Sequence, residues 1–122
     1  MPKKNIKKIK LRRRHSRLRR YINGTTDRPR LCVYFSGKHI YAQIIDDTVH
    51  RTLVSASTVE KEIRENFKTP NKGAAQEIGK RIAEKASANG IKTVIFDRGG
   101  FKYQQGGKVA ELADAARQLI DF

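Results

Sequence analysis

The uneven distribution of charge is the feature that most restricts how this sequence can fold. Residues 1–30 contain thirteen Lys or Arg and one acidic residue, Asp27, a net charge of +12. Residues 31–122 carry fourteen basic and eleven acidic side chains, a net charge of only +3. Because unpaired like charges cannot be buried together, the first quarter of the chain cannot form a core. The sequence therefore predicts a basic arm and linker, residues 1–29, followed by one globular domain, residues 30–122.

A polycationic arm of this kind has three physical uses, which are binding nucleic acid, binding an anionic membrane and solvating a chain end. So dense a cationic block repels itself and needs an anionic partner to become compact. Membrane-surface helices pair their charge with a wide apolar face that carries Trp, Phe or Leu, whereas this arm has no Trp or Phe. Nucleic acid is the favoured partner, and we expect no membrane contact.

Other signals in the sequence favour a cytoplasmic protein. The one cysteine, Cys32, cannot form an internal disulfide, and we interpret it as a core residue. The N-terminus lacks the apolar segment of a secretory signal, and no stretch approaches the roughly 18–20 apolar residues of a membrane-spanning helix. No spacing of Cys and His indicates a metal cluster. We therefore expect no cofactor and no small-molecule substrate.

The first half of the chain predicts a helix followed by three strands. The arm can form a helix over about residues 6–22, with a narrow apolar stripe of Leu11, Leu18 and Ile22, and we expect it to order largely on binding a polyanion. The apolar run 31–35 is typical of a strand buried on both faces. A turn at residues 36–39, an alternating run at 40–45 and a turn at 46–48 then lead to a third strand at about 49–56.

The second half of the chain alternates helices with one strand. A short helix, capped by Ser57 or Thr58, should reach about residue 67, and a longer one has the inner face Ala75, Ile78, Ile82, Ala83 and Ala86. A strand at residues 93–96, a glycine-rich loop at 98–107 and a helix over 108–120 follow. The inner face of the last helix is predicted to be Val109, Leu112, Ala113, Ala116 and Ile120. This order predicts a small α/β domain in which the fourth strand lies parallel to the first.

The loop at residues 97–108 admits two interpretations. Its glycines allow a close approach to a partner, its cations Arg98, Lys102 and Lys108 favour phosphate, and Phe101 and Tyr103 can stack on a base. Alternatively, it is a plain connection with Phe101 tucked into the core.

Support for catalysis is weak. Asp97 with Asp46 and Asp47 could in principle hold a divalent metal for nuclease chemistry. However, Asp46 and Asp47 are typical turn formers, and Asp97 can accept N–H groups of its own loop. The three histidines, His15, His39 and His50, are scattered along the chain, and each is better explained as a surface or nucleic-acid contact than as a general base.

Several segments in register resemble the bacterial large-subunit ribosomal protein eighteen family. They are residues 30–35 (RLCVYF), 39–43 (HIYAQ), 56–61 (ASTVEK), 96–103 (FDRGGFKY) and 110–117 (AELADAAR). The resemblance covers nearly the whole chain, including the arm. One departure concerns the loop, where the family usually has Tyr-His-Gly-Arg-Val and this chain reads YQQGGKV at 103–109. Any contact of that histidine is not transferable, and Lys108 in place of Arg loses bidentate phosphate geometry.

The resemblance implies a non-enzymatic protein of the large ribosomal subunit. It implies binding to 5S ribosomal RNA and 23S ribosomal RNA in the central protuberance, contacts with neighbouring ribosomal proteins, and a location on the cytoplasmic ribosome. It also implies the strand order 3-2-1-4 of a ribonuclease-H-like core without its catalytic carboxylates. The alternatives are a metal-dependent nuclease and a non-specific polyanion binder.

The predicted RNA-binding residues fall into three groups. The arm should supply affinity through phosphate contacts, and the folded domain should supply specificity. The arm group is Lys7, Lys8, Lys10, Arg12, Arg13, Arg14, His15, Arg17, Arg19 and Arg20. The hairpin group is Arg28, Arg30, Lys38, His39 and Tyr41, and the loop group is Arg98, Phe101, Lys102, Tyr103 and Lys108.

Overall fold

The computed structural model describes residues 6–19, 22–36, 38–67, 71–99, 101 and 107–122. The elements in chain order are α1 (Ile6–Arg19), β1 (Arg30–Phe35), β2 (Ile40–Asp46), β3 (Arg51–Ser57), α2 (Lys61–Asn66), α3 (Lys72–Ala88), β4 (Ile95–Asp97) and α4 (Lys108–Ala116). None of the helices in these ranges combines the length and the apolar composition that crossing a membrane requires.

The four strands form one mixed sheet in the order β3-β2-β1-β4. The β1–β2 and β2–β3 pairs are antiparallel, whereas β4 runs parallel to β1 with Leu31 opposite Phe96 and Cys32 opposite Asp97. The predicted α/β class, the three-stranded meander and the strand order are therefore confirmed. The parallel pair requires a crossover, which α2 and α3 supply.

The core lies between the sheet and the layer formed by α3 and α4, and we call this side the helical face. Leu31 and Val33 from β1 belong to the same buried cluster there as Ile78 and Ile82 from α3, and all four are at most 1% exposed. The predicted inner faces of both helices are confirmed, since every residue assigned to them is buried. Gly79 allows the two helices to approach closely, because a Cβ at that position would collide with the carbonyl oxygen of Leu112.

The opposite side of β1, the outer face, is only partly covered. Arg30 is buried and Cys32 half-buried, but Tyr34 is 49% exposed. The prediction that this strand is buried on both faces is therefore wrong at its C-terminal end. The apolar run concealed an alternation in which Leu31 and Val33 point to the core.

Several element ends also differ from prediction. Helix α1 ends at Arg19, so Ile22 lies outside it and the expected stripe does not continue to that residue. Helix α2 has Glu60 as its N-cap, because the Thr58 hydroxyl instead accepts the Ile40 N–H at 3.0 Å and the Ser57 hydroxyl accepts the Val59 N–H at 3.1 Å.

Strand β4 and helix α4 are shorter than predicted. Strand β4 contains only Ile95–Asp97, with Thr93 in an isolated bridge to Asp121. Helix α4 ends at Ala116, although Ile120 is still buried beyond it. Helix α3 is capped at its N-terminus by Asn71, whose side chain accepts the Ala74 N–H at 2.9 Å.

Candidate nucleic-acid interface

Helix α1 is attached to the outer face by charged side chains. His15 Nε2 donates to Asp97 Oδ2 at 3.0 Å, and Arg19 Nη1 lies 3.6 Å from Asp47 Oδ2. Asp97 ends β4, and Asp47 lies in the turn between β2 and β3. Two residues of the basic arm are therefore directed at two carboxylates of the domain, one turn apart along the helix.

Arg30 joins the two carboxylates. Its Nη1 donates to Asp97 Oδ2 at 2.8 Å, while its Nε and Nη2 donate to the two oxygens of Asp47 at 3.0 and 3.1 Å. We call His15, Arg19, Arg30, Asp47 and Asp97 the ion network. Because Arg30 is only 7% exposed, its positive charge must be paired inside the protein, and bidentate geometry is the strongest way to do so.

The ion network changes the pKa values of its members. Burial raises the pKa of Asp97, but hydrogen bonds from His15 and the Gly99 N–H, together with Arg30, outweigh it and leave that pKa below its usual value. The hydrogen bond from Arg30 lowers the pKa of Asp47. Burial acts to lower the pKa of Arg30, and the bonds to Asp47 and Asp97 raise it overall. Both carboxylates are therefore ionised at neutral pH.

The network also bears on the predicted nuclease alternative. A guanidinium stands between Asp47 and Asp97, at the place where a catalytic cation would have to be held. Asp46 is engaged separately, since its side chain accepts the Thr26 hydroxyl at 2.9 Å and the Thr48 N–H at 3.0 Å. All three carboxylates accept hydrogen bonds from groups of the protein itself. This is expected of a turn former, such as Asp46, and of structural ion pairs, such as those of Asp47 and Asp97 with Arg30.

His15, Cys32 and Asp97 place their ligand atoms within 4.8 Å of one another. The chemistry of this triad is unfavourable for a metal ion. Arg30 already occupies Asp97 Oδ2, and the Gly99 N–H occupies Oδ1 at 2.9 Å. Burial raises the pKa of the Cys32 thiol to about 11, so a metal ion would have to displace a proton from Cys32 as well as the donors on Asp97. His15 and Asp97 are better explained as members of the ion network, with the half-buried Cys32 beside them.

An aromatic cluster lies on the outer face beyond the ion network. The Tyr34 ring is 6.3 Å from that of Tyr41 and 5.8 Å from that of Phe101, and His39 lies 6.2 Å from Tyr41. Phe101 also packs edge-on against Phe35 at 5.2 Å. Phe101 and Tyr41 therefore support the cluster from half-buried positions, whereas Tyr34 is 49% exposed and offers ring surface to solvent.

The predicted RNA-binding residues differ in accessibility. Those that are exposed are Lys10, Arg12, Arg13, Arg17, Arg28, Lys38 and Lys108. Those that are half-buried are Arg14, His15, Arg19, His39, Tyr41, Arg98 and Phe101, while Arg30 is buried. Arg20, Lys102 and Tyr103 lie outside the described residues, as do the side chains of Lys7 and Lys8, whose backbone belongs to α1.

The structure brings α1 to the outer face of the sheet, on which Tyr41 also lies. Arg12, Arg13 and Arg17 line an open depression of about 560 Å³ on α1, and α1 itself is attached to the outer face. Arg30 and His15 are directed inward to carboxylates. Sequence reasoning missed Tyr34, which the alternation of Arg30, Cys32 and Tyr34 along β1 could have indicated, and it missed the ion network, for which the sequence carries no local signal.

Comparison with known proteins identifies the family. The sequence profile described as ribosomal L18 of archaea, bacteria, mitochondria and chloroplasts matches residues 5–119. The chain belongs to the ribosomal L18 family. The large ribosomal subunit proteins uL18 of Kosmotoga olearia and Thermotoga petrophila are each 56% identical to it over 119 residues, which cover 97% of this chain and 96% of theirs. That of Caldanaerobacter subterraneus is 57% identical over 107 residues, which cover 88% of this chain and 87% of its own.

Membership of the L18 family confirms the identification made from the sequence. It also confirms that the chain is a ribosomal protein and that its location is the large subunit of the ribosome. The match to the family includes the basic arm from residue 5 onward. The ion network therefore joins two segments, the arm and the domain, that both belong to the family's sequence. The predicted contact residues stay predictions, and the structure supplies the geometry with which to test them.

Proposed function

We propose that the chain binds 5S ribosomal RNA and helps to attach it to 23S ribosomal RNA in the central protuberance of the large subunit. The observation that carries the proposal is the attachment of α1 to the outer face, through His15 and Arg19, with exposed arginines on the helix and the exposed Tyr34 beside the half-buried Tyr41 on the same face of the sheet. In this arrangement one surface offers both phosphate and base contacts.

The two parts of this surface have different chemistry. Exposed arginines bind phosphate oxygens through charge and hydrogen bonds, with little dependence on sequence. The rings of Tyr34 and Tyr41 stack on unpaired bases, which single-stranded loops and bulges of a folded RNA provide. Affinity is therefore assigned to α1, and specificity to the sheet and the loop after β4.

The protein acts in this proposal as a structural component of the cytoplasmic ribosome and not as an enzyme. Its partners are the two RNAs and neighbouring ribosomal proteins, without a membrane, a cofactor or a small-molecule substrate. Since Arg30 neutralises Asp47 and Asp97, the carboxylates that a nuclease would use have a structural role. Incubation with labelled RNA and Mg²⁺ tests this point, and cleavage that is lost in Asp97→Asn would contradict it.

Two charge variants test the assignment of affinity to α1. The first is Arg12→Ala with Arg13→Ala and Arg17→Ala, and the matched control is Lys61→Ala with Lys72→Ala and Lys92→Ala, three exposed cations away from α1. Both remove three charges. We expect the first to weaken 5S RNA binding at least about tenfold and to lower the salt dependence by about one unit per lost phosphate contact. Equal weakening in both variants would overturn the assignment.

Deletion of residues 1–22 gives a coarser test of the same assignment. The truncated chain should keep its fold, because Arg30 retains both carboxylates, and should lose most of its affinity for 5S RNA. Competition with transfer RNA and duplex DNA in mobility-shift experiments tests specificity. Displacement of 5S RNA by either competitor, mole for mole at physiological salt, would instead favour a general polyanion binder.

A further inference from the structure

The helical face carries a groove with a charge opposite to that of the rest of the molecule. It runs between α3 and α4 and has a volume of about 880 Å³. Glu77 and Glu84 from α3 and Glu111 and Asp114 from α4 line it, with Lys80 as its one cation among the described residues. This is a net charge of −3, which leaves +18 for the remainder of a chain whose total is +15.

The carboxylates of the groove are only partly neutralised by the protein. Glu77 accepts from Arg81 at 2.9 Å, and Asp114 lies 3.5 Å from Arg117. Glu111 accepts from the neutral Gln76 amide at 2.7 Å, and in the described part of the chain Glu84 has no cationic partner within ion-pair distance. The groove therefore retains negative charge for a partner.

The floor of the groove is apolar. Phe67 and Ala115 contribute to it at half-buried positions, and Leu119 is 52% exposed at its edge. An exposed leucine alone is ordinary, but here it lines the same concave site as an aromatic ring and four carboxylates. Such a site fits a side chain with an apolar stem together with positive charge.

We propose that this groove binds a Lys- and Arg-rich segment of a neighbouring protein in the large subunit, with an apolar side chain seated on Phe67 and Leu119. The proposal rests on the proposed ribosomal function. Charge complementarity favours such a segment, since RNA-binding chains carry cationic extensions like the one this chain has. RNA is disfavoured, because its phosphates would face four carboxylates. The arm and the groove lie on opposite sides of the sheet, so both can be occupied together.

Site-specific cross-linking in assembled large subunits tests the occupant. In the test variant, a photoreactive benzoyl-phenylalanine replaces Leu119. In the control it replaces Val49, which is 62% exposed in the turn before β3. We expect position 119 to cross-link to a polypeptide segment with excess Lys and Arg, mapped by mass spectrometry, and position 49 not to cross-link to that segment. A cross-link from position 119 to RNA, to a second copy or to an acidic segment, or none, would overturn the proposal.

Titration of the free full-length chain gives an independent measurement. The probe is a short fluorescent peptide of alternating lysine and leucine, followed by anisotropy. Glu84→Gln with Glu111→Gln should weaken binding about fivefold, and Leu119→Ser about threefold. Each variant has a matched control outside the groove. Glu65→Gln with Asp27→Asn removes two carboxylate charges, and Val49→Ser removes one exposed apolar side chain. Both controls should leave binding unchanged. Equal loss in variants and controls, or no binding by the wild type, would contradict the proposal.

The same variants distinguish this proposal from the proposed function. The groove variants should bind 5S RNA as the wild type does, because the groove lies on the helical face. If 5S RNA binding fails while the peptide binds, the RNA function is wrong and the groove stands. If the reverse holds, the groove proposal alone fails.

Discussion

On the helical face, α3 and α4 cover the sheet with apolar side chains that are almost fully buried, whereas on the outer face α1 approaches through ion pairs. Ile78, Ile82 and Leu112 are inaccessible to solvent on the first side. On the second, His15 and Arg19 remain partly exposed while they contact Asp97 and Asp47. Apolar packing makes α3 and α4 integral to the fold, and ion pairs attach a helix whose other charges stay available to RNA.

A highly charged helix therefore need not be apolar on one side to be held in a fixed position. Basic residues surround α1, so burial of an apolar stripe cannot hold it as it holds α3. Paired charges can replace that burial only where the carboxylates are themselves fixed, as Asp97 is by Arg30 and the Gly99 N–H. Four variants or conditions test this difference, beginning with the one that should have the largest effect.

Asp97→Ala should lower the free energy of unfolding by about 3 kcal/mol, because it leaves Arg30 buried with only one of its two carboxylates. Urea denaturation of the variant measures this loss. The control is Asp27→Asn, an exposed acid before β1, which should have a negligible effect. A loss below about 1 kcal/mol would show that the outer face is held by something other than the ion network.

Gly79→Ala tests the apolar packing of α3 against α4. The added methyl group meets the Leu112 carbonyl oxygen, and we expect a loss of about 2 kcal/mol as α3 and α4 are forced apart. Thermal and urea unfolding provide the measurement, with Ser87→Ala on the exposed side of α3 as the control. RNA affinity should not change, since the outer face is untouched; a large change would indicate that the two sides are coupled.

Acid should weaken the outer face first. The pKa values of Asp47 and Asp97 are lowered from 3.8 in the folded chain, so the stability they contribute is complete above that value. It is lost as the pH falls through the lowered folded pKa. Unfolding measured at a series of pH values should therefore show constant stability down to about pH 4 and a decline below it. The decline should be smaller in Asp97→Asn, and an equal decline would contradict the role of Asp97.

His15→Ala should have the smallest effect on global stability, about 1 kcal/mol or less, because it removes one half-exposed donor of the three that Asp97 accepts. Its consequence should appear in α1, where backbone amides are expected to exchange faster with solvent. Hydrogen exchange of α1 compared with α3 measures this difference. Unchanged exchange in α1 would show that His15 does not position the helix.

Much of the fold could be predicted because its signals are local. The spacing of Ala75, Ile78 and Ile82 indicated the buried side of α3, and the runs at residues 31–35 and 40–45 indicated paired strands. The exact ends of elements could not be predicted, because tertiary contacts compete for the same groups. Thr58 illustrates this competition, since its hydroxyl bonds to the Ile40 N–H instead of capping α2.

The class of partner that the candidate site binds could be predicted from the sequence, but the positions of its side chains relative to one another could not. The density of charge alone indicated a polyanion partner. It also pointed to the exposed arginines of α1, which are Arg12, Arg13 and Arg17 in the part of the helix that the structure describes. It could not show that Arg30 is directed inward, because a buried arginine and an exposed one are identical in sequence. Only the positions of Asp47 and Asp97 in space distinguish them.

The separation of a +12 arm from a nearly balanced domain, the class of fold and the family all follow from the sequence, because charge density, apolar periodicity and segment order are properties of neighbouring residues. The tertiary structure alone decided that His15 meets Asp97 across 82 positions, and that acidic residues from α3 and α4 meet in one groove. Such contacts depend on how the elements pack, and no local pattern of residues specifies that packing.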